Sequence, residues 1–249
     1  MFLSIITVCY NSAGTIRQTF ESVLQQDFND YEYIVVDGAS TDGTLGIIQE
    51  YLPKFNGKMR YVSEKDNGIY DAMNKGIRMA QGEMIGLVNS DDYYEKDAFK
   101  NIYEAVQNTP DADVYYGLLR NVAENGEEID IHRIHHSRLK NCSLPHPATF
   151  IKNKCYVQYG LYDLTYKVAA DYELMLRIFL KGGKYCPVNH ILSNFRCGGV
   201  SSDGRNITEH LQVQYQYNLI SKKRKILSGF LFKIKLFAGR LFNSHLKLQ

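Results

Sequence analysis

Four short apolar runs, "LSIITVCY", "YEYIVVDG", "MRYVSE" and "EMIGLVNS", recur through the first part of the chain, each followed by a helical pattern. Near-continuous runs of β-branched and apolar residues suit strands buried on both faces, as in parallel sheets. The segments between them, Gly14–Gln26, Thr44–Leu52 and Tyr70–Gln81, read as helices, with Gly82 a stop for the third. Such alternation predicts an α/β fold, a Rossmann-like doubly wound sheet. The 249 residues suit one such domain with a small appendage.

The second half is less regular. A helix is predicted over about Asp97–Gln107, a strand over Asp113–Leu118, and a further strand on a mixed sheet edge at "HRIHHSRL". "AADYELMLRIFLKGG" reads as a largely buried helix ended by Gly182–Gly183. Composition breaks only near Asn206, where the polar loop "GGVSSDGRN" gives way to a helical tail.

Charge divides unevenly along the chain. Eight of the 29 Lys and Arg residues follow Glu209 and no acid does, so residues 1–209 hold 21 cations against 27 anions. A basic tail on an acidic body points to an anionic partner for the tail. Nucleic acid is not expected, given the acidic body. Cys9, Cys142, Cys155, Cys186 and Cys197 are odd in number and lack CxxC spacing, which fits packing residues in a reducing compartment. "MFLSIITVCYNS" has neither a basic leader nor a small-residue cleavage site, and no apolar run reaches the ~18 residues of a membrane span. The expected location is cytoplasmic, peripheral at the inner face of the membrane.

In an open α/β sheet, ligands bind beyond the carboxyl ends of the strands. There the first strand delivers Thr7, Tyr10, Asn11 and Ser12, and the second Asp37 with "GASTDGT". The third delivers Glu64, Asp66, Asn67 and Gly68, and the fourth Asn89, Ser90, Asp91 and Asp92. No GxxxxGK[ST] loop is present and no GxGxxG follows the first strand, so a bound nucleotide needs its phosphates held otherwise. A Mg²⁺ or Mn²⁺ on Asp91 would neutralise diphosphate oxygens directly, with neutral Asn89 bonding ribose or metal-bound water.

"TVCYNS", "IVVDGASTDGT", "DNGIYDAMNKG" and "LVNSDDYY", in this order, resemble the nucleotide-binding half of family 2 glycosyltransferases with the GT-A fold, of the bacterial capsule, exopolysaccharide and O-antigen group. The likeness spans about Ser4 to Ser202. It implies a nucleotide-sugar-binding half at 1–95, an acceptor-side half at 96–205 and a basic helical tail at 206–249. It further implies that Thr7, Tyr10 and Asn11 border the nucleoside and that Asp37 accepts a hydrogen bond from a pyrimidine. Asp66, Asn67 and Gly68 would lie near base and ribose. Asn89, Ser90 and Asp91 stand where the family has its DxD, with Asp91 on the metal. Met73 departs from a common arginine, and Lys75 is the nearby cation that could substitute.

For the acceptor half the resemblance points to Asp171 as general base of an inverting transfer. An acceptor hydroxyl attacking an anomeric carbon must lose its proton as the bond forms, and a carboxylate in reach serves. Glu173 is the local competitor. His146, between two prolines in "LPHPATF", is a candidate acceptor contact, and Gly198 and Gly199 in "CGGVSS" give the backbone room near the diphosphate. His132, His135 and His136 would alternate across a strand, and with no Cys or acid at ligand spacing they do not read as a metal site.

On a helix, the tail "KKRKILSGFLFKIKLFAGRLF" places Ile226, Phe230, Ile234, Phe237 and Leu241 on one face, with Lys225, Lys233, Arg240 and Lys247 opposite. A basic amphipathic helix of this kind lies in a membrane interface or packs on protein, including a second subunit. The resulting expectation is a metal-dependent transferase moving a sugar from a UDP-sugar to a polyprenyl-diphosphate-linked saccharide, with UDP-sugar, Mn²⁺ or Mg²⁺ and the membrane as partners. A nucleotidyltransferase is the enzymatic alternative, but "CYNSAGTIRQT" lacks its Gly-rich, Lys-containing loop. A non-catalytic sugar-nucleotide or membrane-surface binding protein is the other alternative, and would be indifferent to Asp171.

Overall fold

The computed structural model describes residues 1–198 and 205–228. The chain runs β1 (Leu3–Cys9), α1 (Ile16–Leu24), β2 (Tyr31–Asp37), α2 (Thr44–Tyr51), β3 (Met59–Ser63), α3 (Ile69–Met79) and β4 (Met84–Leu87). It continues β5 (Tyr93–Tyr94), α4 (Ala98–Asn108), β6 (Val114–Val122), β7 (Glu128–His132), β8 (Thr149–Lys152) and α5 (Asn153–Tyr159). Then follow α6 (Ala170–Leu180), β9 (Tyr185–Arg196) and α7 (Arg205–Gln216).

One mixed sheet has the order β3-β2-β1-β4-β8-β6-β9-β5, with β7 paired to β6. β3, β2, β1 and β4 are parallel, whereas β8 runs antiparallel to both β4 and β6. Every residue of β1 is buried, and its alternation divides the core. Leu3 and Ile5 join Phe20, Tyr33 and Val35 under α1, while Ile6 and Val8 join Ile34, Val36 and Ile77 under α3. Each such fully buried aliphatic side chain contributes roughly 1.5–3 kcal/mol.

Close approach fixes α3 on the sheet. A Cβ on Gly76 would stand 2.5 Å from Ile6 Cγ2, so only glycine lets the helix sit this near β1. That contact carries the amino end of α3 to the carboxyl end of β1. Residue 95 lies between β5 and α4, and residues 205 and 206 both lie in α7, which packs on α6.

One predicted element moves. The strand expected over "HRIHHSRL" lies upstream as β7, and His136–Arg138 form a 3-10 turn instead. His135 Nδ1 accepts from Ser137 N at 3.2 Å, and His136 N donates to Tyr116 Oη at 3.1 Å; these side-chain bonds satisfy the turn locally.

Candidate active site

The loops after β1, β2 and β4 are knitted together before any ligand is considered. Asn11 has φ +49, a left-handed conformation that asparagine tolerates. In it, Asn11 N donates to Ser40 Oγ at 2.8 Å and its Oδ1 accepts from Thr41 N at 2.9 Å. Ser12 N donates to Thr44 Oγ1 and Ser12 Oγ meets Ser90 Oγ, both at 2.8 Å. These bonds position Tyr10, which is 62% exposed, at the rim of a cavity of about 960 Å³.

At the same rim Asp66 comes from the loop after β3. Its Oδ1 accepts from Gly68 N at 2.8 Å, and a Cβ on Gly38 would stand 2.5 Å from Asp66 Oδ2 and 3.4 Å from the Tyr10 ring. Gly38 therefore admits carboxylate and ring side by side. Gly68, at φ +114, turns the chain into α3.

The adjacent acids after β4 have divergent fates. Asp92 is fully buried; its Oδ1 accepts from Arg196 N at 3.1 Å and its Oδ2 from Asn89 Nδ2 at 3.3 Å. Burial and then the charge of Asp91 push its carboxyl well above the usual range. Asp92 thus fastens the turn to the end of β9. Asp91 instead lines the cavity, and no side chain hydrogen-bonds its carboxylate among the described residues. Burial raises its pKa, with Arg196 opposing. Beside it, Asn89 Oδ1 is buried without a hydrogen-bond partner.

Across the cavity, Asp171 stands in the first turn of α6 and accepts from Tyr70 Oη through Oδ1 at 2.9 Å. His146 Nε2 meets Tyr162 Oη at 3.0 Å; burial lowers the imidazole's pKa and Asp171 partly restores it. Glu173, the competitor, is turned into the core, where it pairs with Arg177 at 2.8 Å and accepts from Tyr217 Oη at 2.5 Å. Asn206 and His210 of α7 complete this wall, with His210 stacked on Tyr172 at 4.4 Å.

Of the residues singled out in the sequence, Tyr10, Asn11, Asp66, Gly68, Asn89, Ser90, Asp91, His146 and Asp171 line the one cavity. Others are placed elsewhere. Thr7 is fully buried and its hydroxyl meets Tyr33 Oη at 2.8 Å. Asp37 is fully buried behind the wall, accepting from Ser40 N at 3.1 Å and Ser63 Oγ at 2.6 Å. Asn67 is exposed and its amide donates to Asp71 at 3.0 Å. Lys75 does not reach the cavity either: it pairs with Glu64 at 2.9 Å and donates to Lys65 O. Gly198 has φ +117 and lies outside the lining, and Gly199 falls outside the described residues. Tyr70, Tyr162 and His210 were missed. Tyr70 and Tyr162 read as core aromatics, and His210 lies beyond the motifs in a helix with no local signal.

The sequence profile described as "Glycosyl transferase family 2" matches residues 4–162. A PGL/p-HBAD biosynthesis glycosyltransferase of Mycobacterium tuberculosis is 29% identical over 80% of this chain and 78% of its own. Among solved structures, S. aureus TarS residues 1–349 in complex with UDP-GlcNAc superposes with TM-score 0.72 at 22% identity, covering 93% of this chain and 72% of that one. The chain spans 43% of the longer TarS chain. The mannosyltransferase PcManGT of Pyrobaculum calidifontis, in complex with GDP-Man and Mn²⁺, gives 0.67 at 18% identity, covering 88% and 65%. The match of the family profile over most of the chain, on a GT-A sheet with these loops, places the protein in glycosyltransferase family 2.

Proposed function

We propose that this glycosyltransferase moves a sugar from a UDP-sugar to a lipid-linked saccharide with inversion, as a step in building a bacterial surface polysaccharide. The observation that carries the reading is one cavity lined at one side by Tyr10, Asp66 and Asp91 and at another by Asp171. Tyr10 and Asp66 would receive the nucleoside. A base that reached Asp37 would have to displace its bonds from Ser40 or Ser63. UDP and GDP-Man in the neighbouring structures support a nucleotide-sugar donor.

A divalent cation fits the residues present. Among the described residues the lining holds Asp66, Asp91 and Asp171 but only Lys167 as a permanent cation, so a diphosphate would enter against net negative charge. The unpaired Asp91 carboxylate and the orphaned Asn89 Oδ1 are hard oxygen ligands. No group of three or more His, Cys, Asp or Glu is gathered among the described residues, so substrate oxygens and water would complete the shell, as is common for Mg²⁺. When bound, Mn²⁺ or Mg²⁺ would offset the charge of the departing diphosphate.

The chain's own residues supply the remainder. Asp171 takes the proton of the acceptor hydroxyl through the oxygen not held by Tyr70, and in-line attack opposite the diphosphate gives inversion. His146 and His210 bound the acceptor's approach. Lys222, Lys223 and Arg224 are exposed, which supports a membrane-facing tail, although most of the amphipathic face lies outside the described residues. No described helix is long and apolar enough to cross a membrane.

The test is a panel of UDP-, dTDP- and GDP-sugars with Mn²⁺ and a short-chain prenyl diphosphate saccharide. One or two UDP-sugars should yield glycosylated lipid of inverted anomeric configuration. A retained configuration, or dependence on a different nucleotide, would overturn the corresponding part of the reading.

A further inference from the structure

Helix α3 reaches from the donor loops into the acceptor wall and grips it at two points one turn apart. Asn74 Nδ2 donates to Tyr162 O at 2.9 Å, and Tyr162 N donates to Asn74 Oδ1 at 3.0 Å. One turn earlier, the Tyr70 ring lies 5.4 Å from the Tyr162 ring, while its hydroxyl donates to Asp171 Oδ1. The gripped segment is also tied to α6, because Arg177 donates to Leu161 O at 2.8 Å and pairs with Glu173. Tyr70 is 7% exposed, so its hydroxyl has little water to turn to. Burial and the charge of Asp171 hold its phenol protonated, hence always a donor.

We infer that Tyr70 is a positioning residue for glycosyl transfer: its hydroxyl locks the Asp171 carboxylate in one rotamer and leaves Oδ2 for the acceptor. This rests on Asp171 acting as the base. Tyr70 begins two residues after Gly68, so the helix that carries the donor loop also sets the base. A freely rotating carboxylate would meet the acceptor hydroxyl in a smaller fraction of encounters. Misplacement by about 1 Å can cost 10²-fold.

Tyr70→Phe removes only the hydroxyl and keeps the ring contact with Tyr162. With the UDP-sugar and prenyl diphosphate saccharide selected by the panel, kcat for transfer should fall about 10- to 100-fold. The donor KM and the melting temperature should stay near those of the parent protein. In an Asp171→Glu background, Tyr70→Phe should cause less than a threefold further loss, because the bond it removes is already displaced. Transfer within twofold of the parent in Tyr70→Phe, while Asp171→Asn is inactive, would overturn the positioning role alone. Additive losses in the double variant would also overturn it. Full activity in Asp171→Asn would instead remove the base assignment.

Discussion

Glu209 offers a strong test of how the acceptor wall is built. Helix α6 has alanine at its N-cap, and Ala169 has no side chain that could cap the free amides. The loop that leads into α6 is instead clasped by another helix. Glu209 of α7 accepts from Lys167 N at 3.0 Å, Val168 N at 2.8 Å and Ala169 N at 3.0 Å. A hydrogen bond to a charged group contributes about 1.5–3 kcal/mol, and a carboxylate near a helix N-terminus adds about 0.3–1 kcal/mol. Water can reach these half-buried groups after the side chain is removed, so Glu209→Ala should cost about 2 kcal/mol rather than the full worth of three charged bonds. For a chain of this size that lowers Tm by about 4–8 °C. Glu209→Gln, which keeps an acceptor but no charge, should lose roughly half. Urea unfolding followed by circular dichroism gives the energy, and hydrogen exchange at Lys167, Val168 and Ala169 reports the clasp itself. An unchanged urea midpoint, or lowered stability with those three amides still protected, would refute the argument.

Other expectations follow from the same geometry. Burial pushes Glu32 up, but hydrogen bonds from Ser4, Gln81 N and Arg60 outweigh it and hold its pKa low. Its ionised form therefore stabilises the fold fully above the unfolded value near ~4.3 and loses that contribution as pH falls through the folded value. The stability difference between parent and Glu32→Gln, about 2 kcal/mol at pH 7, should shrink in urea titrations below pH ~4. A constant difference down to pH ~3 would contradict this pairing. Gly86→Ala would place a Cβ 2.5 Å from Phe150 Cε1 in a fully buried ring, costing about 1–3 kcal/mol by overpacking; a neutral result in thermal melts would show that β8 yields. Asp91→Ala should lose Mn²⁺-dependent UDP binding in calorimetry while weak metal-free binding persists. Equal Mn²⁺ enhancement in the variant would remove Asp91 from the metal.

The parallel half of the fold was legible because its strands are apolar on both faces and its helices keep a clear period. β1, β2, β3 and β4 lie within the quoted runs, and α3 begins one residue before the predicted Tyr70. The antiparallel portion was not. β8 is four residues long and β5 two, too short for any period, and β9 mixes Asn, Ser and Pro with its apolar positions. Strand-end placement brings Tyr10, Asp66 and Asp91 to one cavity, because a parallel sheet sends every loop to one edge. It does not bring Thr7 to that cavity, since Thr7 sits within β1 rather than beyond it, nor Asp37, which accepts from its neighbours Ser40 and Ser63. Which of two adjacent acids faces ligand depends on a partner 104 residues away, the Arg196 amide, and no local pattern encodes that.

Asp171→Asn, read for both transfer and donor affinity, confronts the central claim most directly. Sugar transfer should fall by at least ~10³-fold while UDP affinity with Mn²⁺ stays within about threefold. Undiminished transfer would show that another group takes the proton, and parallel loss of transfer and UDP binding would make the residue structural.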